Sequence, residues 1–316
     1  MRKMCLTLAL VLVLVTPVFA GTKFQKFAPL PADDVKIEHL PADSDLGARV
    51  IQQYLDLRRQ DRVRASALTG IRTARGFIIP VAGSAAGGGG TFFRSDVTLV
   101  NADSSSSQDI LAVWIARGVA TTTPPTTRIT LAADATRIFR DFVANTLQQS
   151  GIGSVFFLPV IGTQIDPNAA IDGFSRIFTP QPGSAGTVSQ EFLPVDPGDF
   201  PPFQAAAALG LKHDAAFRTN FFIVNAQTTP LTVNFLYLGT NGSSQPRTVV
   251  VPPLSLHFDS IPANENYGDL AIVFVVNDPN ATWIAGASST DNITGDGWVS
   301  LFSAFLSPSE LGGLGF

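Results

Sequence analysis

Short apolar runs alternate with polar turns from Phe77 onward. Runs such as "GFIIPVA", "DVTLVN", "ILAVWIA" and "LTVNFLYLG" are rich in Val, Ile, Phe and Thr, and clusters of Gly, Pro, Ser, Asn and Asp separate them. Each run has the length of a strand, and no helix-length periodic segment lies between them. This pattern predicts an all-β fold of antiparallel β-sandwiches, not a sheet built from βαβ units.

Residues 45–65 have the periodicity of a helix instead. Val50, Tyr54 and Leu57 recur at helical spacing, and Asp45 stands where it could cap the first turn. We interpret the basic stretch that follows as a solvated helix face leading into a linker. The alternative is attachment to an anionic surface, such as lipid headgroups or acidic polysaccharide. The arginines of this stretch are Arg58, Arg59, Arg62, Arg64, Arg72 and Arg75.

One phrase occurs twice in the chain. It reads "FRSDVTLVNA" at residues 93–102 and "FRTNFFIVNA" at residues 217–226. The segments after each copy follow in the same order, and residues 127–142 align with 246–261. We infer two tandem modules from this order, because each repeated unit has roughly the length of one sandwich domain.

The repeated phrase is predicted to be a strand with one core face. Phe93 and Phe217 start that face, and on the opposite face each arginine stands about 6.5–7 Å from the residue two positions on. A guanidinium can bond a carboxylate or an amide at that distance. We interpret the phrase as structural, and the alternative is a paired ligand-binding Arg–Asp site. The residues concerned are Phe93, Arg94, Asp96 and Asn101 in the first copy and Phe217, Arg218, Asn220 and Asn225 in the second.

The first twenty residues read as a secretory signal peptide. Arg2 and Lys3 precede an apolar run, "LTLALVLVLV", and small residues lead up to Ala20. We therefore expect cleavage near Ala20 and a secreted, periplasmic or cell-surface location. The only cysteine, Cys5, lies within this peptide, so the mature chain is expected to have no disulfide and no thiol chemistry.

Charge and hydropathy limit the classes of partner that the protein is expected to bind. Without Arg2 and Lys3 the chain has 19 basic against 25 acidic residues, and only 15% of all residues are charged. A mildly acidic chain with few charges is not expected to bind nucleic acid, which needs clustered phosphate neutralisation. No later segment has the roughly 18–20 continuous apolar residues of a spanning helix, so no transmembrane helix is expected.

Candidate sites are few. We expect no catalytic residues and no cofactor, because the chain has no G-x-S-x-G, H-E-x-x-H or strand-linked G-x-G-x-x-G motif. Asp166, Asn168 and Asp172 are candidates for binding a hard cation, with turn chemistry as the alternative. Trp298, just after "GDG", is a candidate for stacking on a sugar, whereas Trp114 and Trp283 lie in apolar runs and are predicted to be core.

The repeated phrase also carries a resemblance. F-R-[S/T]-[D/N]-x-x-[I/L]-V-N, together with the closing S-x-x-D-N-x-T-G-D, resembles a class of uncharacterised secreted bacterial proteins with tandem immunoglobulin-like β-sandwich modules. The resemblance covers roughly residues 76–306, and the first unit departs from it with "FTPQPGSAGT" in place of the closing hairpin. It implies the fold and the export, and it carries no catalytic residues.

We expect an exported, non-enzymatic protein for adhesion, envelope structure or binding of a glycan, envelope component or protein. One alternative is an extracellular hydrolase with a glycosidase-like carboxylate pair, and a second is an outer-membrane β-barrel. The predicted domains are a signal peptide at 1–20, an N-terminal arm at 21–75 that contains the helix at about 45–65, sandwich 1 at 76–197, a linker at 198–202, sandwich 2 at 203–308 and a tail at 309–316.

Overall fold

Antiparallel sheets packed face to face make up most of the chain, which confirms the predicted all-β class. The computed structural model describes residues 35–65, 76–181, 185–196, 205–278, 280–301 and 304–305. The signal peptide, Arg72, Arg75, the predicted linker and the tail lie outside these residues.

The elements follow one another as nineteen strands and two helices among the described residues. Up to residue 196 they are β1 Val35–His39, α1 Leu46–Ala65, β2 Phe77–Ala86, β3 Phe92–Asn101, β4 Gln108–Ala116, β5 Thr126–Leu131, β6 Thr136–Phe139, α2 Phe142–Asn145, β7 Gly151–Ile161, β8 Gln164–Ile165, β9 Ile171–Pro180 and β10 Thr187–Phe192. From residue 205 they are β11 Ala205–His213, β12 Phe217–Asn225, β13 Leu231–Gly239, β14 Ser244–Val251, β15 Ser255–Ser260, β16 Gly268–Val276, β17 Trp283–Asp291, β18 Gly297–Leu301 and β19 Ala304–Phe305.

The chain up to residue 196 and the chain from residue 205 have the same order of strands. Up to residue 196, which we call the first half, the path is β1-β5-β4-β7-β2-β3-β9-β10, with β6 on β3 and β8 on β7. From residue 205, the second half, one sheet runs β14-β13-β16-β11-β19 and the other runs β15-β12-β17-β18. The run β5-β4-β7-β2 therefore corresponds to β14-β13-β16-β11, and β6-β3-β9-β10 corresponds to β15-β12-β17-β18.

Irregular positions recur at equivalent places. β2 and β11 each have a register shift, against β7 and β16 respectively. Asp134 and Leu254 both have positive φ, 54° and 42°, and each donates its N–H to a carbonyl in the turn that follows the repeated phrase, Asp103 O and Gln227 O respectively. The predicted alignment of 127–142 with 246–261 is thus one residue out, because these two turn residues, which that alignment does not pair, have the same bonds and conformation.

The helix α1 covers the first half. Val50, Ile51, Tyr54 and Leu55 are buried in the same core as β4 and β7, as the helical spacing predicts. Arg58 contradicts the predicted solvated face, because its side chain is buried and its Nε donates to Asp196 Oδ1 at 2.9 Å. Among the described residues, neither helix has the length and apolarity needed to cross a bilayer.

The two halves share buried surface. Phe222, Val224 and Leu256 belong to the hydrophobic core that also holds the apolar residues of the first half. Phe222 meets Phe192 edge to face, with 5.8 Å between the ring centroids. β12 thus has two apolar faces near its carboxyl end. Phe221 and Ile223 pack in the core of the second half, and Phe222 and Val224 pack against the first half.

Candidate functional site

A cleft of about 940 Å³ lies where residues of both halves come together. We call it the central cleft. The first half contributes the end of β2 with the Gly87–Thr91 turn, and residues from β7, β9 and β10; the second half contributes β12, β15 and the hairpin between β17 and β18. A volume of this size is typical of ligand sites in proteins, which are commonly about 300–1,000 Å³.

Side-chain contacts between the halves hold the walls of the central cleft together. Gln190 Nε2 on β10 donates to Thr290 Oγ1 on β17 at 2.9 Å. A side chain at Gly295 would be crowded, because an added Cβ would lie 2.9 Å from Val188 Cγ1. Its φ of +75° also favours glycine. The hairpin of the second half therefore lies directly against β10 of the first half.

The lining combines apolar, polar and basic groups. The rings of Phe93, Phe192 and Phe258 and the half-buried Ile152 and Ile177 contribute apolar surface. Of the described residues that line the central cleft, the charged ones are both arginines, Arg117 and Arg218, and none is Asp, Glu or His. The other polar groups are amides and hydroxyls.

Arg117 enters the central cleft from the end of β4. Its backbone is held in place because its N–H donates to Ile152 O at 2.9 Å and the residue bridges to Leu256 of the second half. Its guanidinium carbon lies 5.9 Å from the centroid of the Phe258 ring. A guanidinium within about 6 Å of an aromatic ring is attracted to the ring and keeps its N–H donors for other partners.

Arg218 enters from β12, as the second residue of the repeated phrase. Its Nη1 donates to Asn292 Oδ1 at 3.0 Å. Asn292 is itself anchored, because its N–H donates to Ala216 O at 2.8 Å and its Nδ2 to Ala215 O at 3.3 Å. The sequence placed Arg218 in the scaffold and predicted a bond to Asn220, whereas the bond it makes is to the β17–β18 hairpin.

The first copy of the phrase places its arginine differently. Arg94 Nε lies 3.3 Å from Asp141 Oδ2, and its guanidinium lies over the Phe92 ring at 4.7 Å. Asp96 pairs with Arg140 and also accepts the Asp141 N–H at 3.0 Å. The predicted Arg–Asp relation along one strand is thus replaced by pairs with the segment after β6, since that segment crosses the face where both side chains lie.

The two asparagines of the phrase have matching bonds. Asn101 Nδ2 donates to Ser106 O and Ala132 O, both at 2.9 Å. Asn225 Nδ2 donates to Thr229 O at 2.8 Å and to Pro252 O at 2.9 Å. Each Oδ1 also accepts the backbone N–H two residues on, and both side chains are fully buried. These residues close equivalent turns and lie outside the lining of the central cleft.

The candidate cation ligands Asp166 and Asp172 form local hydrogen bonds within turns. Asp166 Oδ1 accepts the N–H of Asn168 at 2.9 Å, and Asp172 Oδ1 accepts the N–H of Gly173 at 2.7 Å. Within the described ranges, no three His, Cys, Asp or Glu residues are grouped so that they could hold a metal ion.

Trp298 is partly exposed and fixed in place. Its indole Nε1 donates to Gly210 O at 2.8 Å, its ring meets Phe217 edge to face at 5.9 Å, and 38% of the residue is exposed. It is not among the residues that line the central cleft. Trp114 and Trp283 are buried, as predicted.

Sequence reasoning did not identify the central cleft or Arg117. The clue that was available is the closing "DNITGDG" segment, which exists only in the second unit. Its turn is ordered by Asp291, whose Oδ1 accepts the N–H groups of Thr294 and Ile293 at 3.0 and 2.7 Å, and these bonds lower the pKa of its carboxyl. No family model, curated protein or solved structure matches this chain.

Proposed function

We propose that the protein is an exported, non-enzymatic binding protein of two immunoglobulin-like modules that holds its ligand in the central cleft. The observation that carries this proposal is the cleft itself, with about 940 Å³ of space between walls from both halves. Binding at such a junction suits adhesion or attachment to the cell envelope, because a ligand held by both halves contacts a larger surface than either half offers alone.

The composition of the lining supports binding in preference to hydrolysis. A glycosidase needs two carboxyl groups about 5–10 Å apart, and general acid–base catalysis draws on His, Asp or Glu. None of these residue types is among the described lining residues of the central cleft. Amides, hydroxyls and arginines instead supply hydrogen bonds that recognise a ligand without transferring its protons.

Packing at the base of the central cleft supports a site that is formed before the ligand arrives. Phe192 is buried in the core shared by the two halves, and Gln190 bonds across to Thr290. A preformed site avoids the entropic cost of ordering its walls on binding.

The test is retention of the mature protein on glycan and cell-surface arrays, with a variant that fills the central cleft. Ser189 is half-buried and lines the cleft, so Ser189→Trp should reduce retention at least about tenfold by occupying ligand space. Gln245→Trp is the matched control, because Gln245 is exposed and is not a lining residue.

Both variants should unfold at the temperature of the parent protein, which separates blocking from misfolding. Equal loss of retention in the two variants, or none in either, would contradict binding at the central cleft. Hydrolysis of an arrayed substrate by the parent protein would contradict the non-enzymatic part of the proposal.

A further inference from the structure

We infer that the central cleft selects an acidic oligosaccharide, whose carboxylate groups are bound by Arg117 and Arg218. This inference rests on the proposed function and names the chemical class of its ligand. It is carried by the charge, the neighbours and the polar surroundings of these two arginines.

The charge of the central cleft differs from that of the chain as a whole. The chain has 25 acidic and 21 basic residues, yet the charged lining residues among those described are both basic. Both arginines are exposed, and no carboxylate among the described lining residues offsets their charge, so the central cleft attracts anionic ligands.

Seven other arginines in the described ranges are paired with carboxylates, whereas Arg176, outside the central cleft, donates to the Thr187 hydroxyl instead. The pairs are Arg49–Asp45, Arg58–Asp196, Arg59–Asp56, Arg94–Asp141, Arg128–Asp109, Arg140–Asp96 and Arg247–Glu265. Arg117 and Arg218 have no carboxylate partner in the described part of the chain. A carboxylate brought by a ligand would complete the pairing that the protein supplies elsewhere.

Both arginines are held in position by neutral groups. Phe258 flanks the guanidinium of Arg117, and Asn292 accepts one of the five N–H groups of Arg218. Neutral neighbours fix the direction of a guanidinium without consuming its charge. Each can then donate two parallel N–H groups to one carboxylate, which is the strongest common form of this interaction.

The uncharged lining favours a carbohydrate over a peptide. Amide or hydroxyl side chains line the central cleft from both halves, among them Gln181, Ser189, Asn220, Ser260, Asn292 and Thr294. Groups of this kind donate and accept hydrogen bonds, which matches the many hydroxyls of a sugar. The Phe93 and Phe258 rings offer apolar surface for the C–H faces of pyranose rings.

The experiment measures binding of the mature protein to three probes by calorimetry. The probes are an oligogalacturonate, the same oligosaccharide with its carboxylates methyl-esterified, and a poly-glutamate peptide of similar charge. We expect oligogalacturonate to bind at least about tenfold more tightly than either other probe, and its affinity to fall as salt rises from 50 to 500 mM, values chosen to span the screening range.

Single variants then locate the contact. Arg117→Gln and Arg218→Gln should each weaken oligogalacturonate binding at least about tenfold, while Arg49→Gln, at an exposed pair outside the central cleft, should leave it unchanged. Thermal unfolding of each variant, together with the salt dependence of the parent protein, keeps the result independent of any folding defect.

Three outcomes would overturn the inference. They are equal binding of the methyl-esterified probe, equal binding of poly-glutamate, and absence of binding to all three probes. If a neutral glycan binds and Ser189→Trp abolishes that binding while the arginine variants do not, the proposed function stands and the acidic ligand class is wrong.

Discussion

The two halves carry the same phrase and treat its two ends differently. At the carboxyl end, Asn101 and Asn225 make equivalent sets of bonds to two backbone carbonyls and to the N–H two residues on. At the amino end, Arg94 pairs with Asp141, whereas Arg218 bonds Asn292 and lines the central cleft. The turn at the end of the strand is common to both halves, and the start of the strand is where they diverge.

The middle of the phrase shows how chemistry can change while geometry is kept. Asp96 pairs with Arg140 in the first half. At the equivalent place in the second half, Asn220 Oδ1 accepts the Ser260 hydroxyl at 2.5 Å. An ion pair and a neutral hydrogen bond thus make corresponding connections, from β3 to the residue after β6 and from β12 to the last residue of β15. Asn220 therefore contributes a neutral group, where the first half has an acidic one, to the lining of the central cleft.

The outer coverings of the two halves also differ. The first half is covered by α1, which places Arg58 and Tyr54 around Asp196; Tyr54 Oη lies 2.8 Å from Asp196 Oδ1. The second half buries Phe222 and Val224 against the first half instead. The first half therefore buries apolar surface beneath a helix, whereas the second half buries apolar residues of β12 against the other half.

Breaking the Arg58–Asp196 pair should have the largest effect and should show how strongly the first half depends on α1. Arg58→Met removes the guanidinium that is bonded to the buried Asp196 carboxylate, so we expect a loss of about 3–5 kcal/mol in the free energy of unfolding, measured by denaturant titration. Arg49→Met, at an exposed pair, should cost below about 1 kcal/mol. Similar losses in the two variants would show that burial of the Arg58 pair does not matter.

Removing the turn asparagines should test whether the halves are equivalent at that end. Asn101→Ala and Asn225→Ala each remove a buried amide that donates to two or more carbonyls, so each should lower the free energy of unfolding by about 3 kcal/mol. Asn168→Ala, at an exposed position, is the control and should cost below about 0.5 kcal/mol. A difference of more than about 2 kcal/mol between the two buried sites would break the equivalence.

The pH dependence of stability should reveal a smaller difference between the halves. Where the register places Arg137 in the first half, the second half has His257, whose ring lies 5.5 Å from that of Phe221. Burial lowers the pKa of His257 below its ordinary value of 6.5. The unfolded chain therefore takes up a proton that the folded state disfavours, and stability falls as pH drops through that ordinary value.

The measurement is urea unfolding of the parent protein and of His257→Gln between pH 7.5 and 5. We expect the acid loss to be smaller in the variant by about 0.5 kcal/mol, a modest figure because solvent screens a half-buried ring. An equal or larger loss in His257→Gln would contradict the lowered pKa as its source.

Periodicity alone was sufficient for much of the fold. The alternation of apolar and polar residues located the strands, and the spacing of Val50, Tyr54 and Leu57 located α1. These features are local, since the spacing of apolar residues within one strand or helix decides which of its faces packs in the core. The repeated phrase also marked two strands that occupy corresponding places in the sheets.

The partners of charged side chains needed coordinates. Arg58 reads as one of a run of solvated arginines, and its partner Asp196 is 138 residues further along the chain. The bond from Arg218 to Asn292 spans 74 residues. Nothing in the sequence near either arginine specifies which distant segment crosses its face, so the short i+2 distance suggested the wrong partners.

The amino-acid pattern is enough to show that this chain builds antiparallel sheets with a helix before them, because hydrophobic repeats depend only on neighbouring residues. The central cleft, and the positions of Arg117 and Arg218 in it, arise from how the sheets of the two halves pack against each other. That packing brings together groups more than a hundred residues apart, such as the Ser255 hydroxyl and the Ala116 carbonyl that it bonds, and neighbouring residues in the sequence do not specify such contacts.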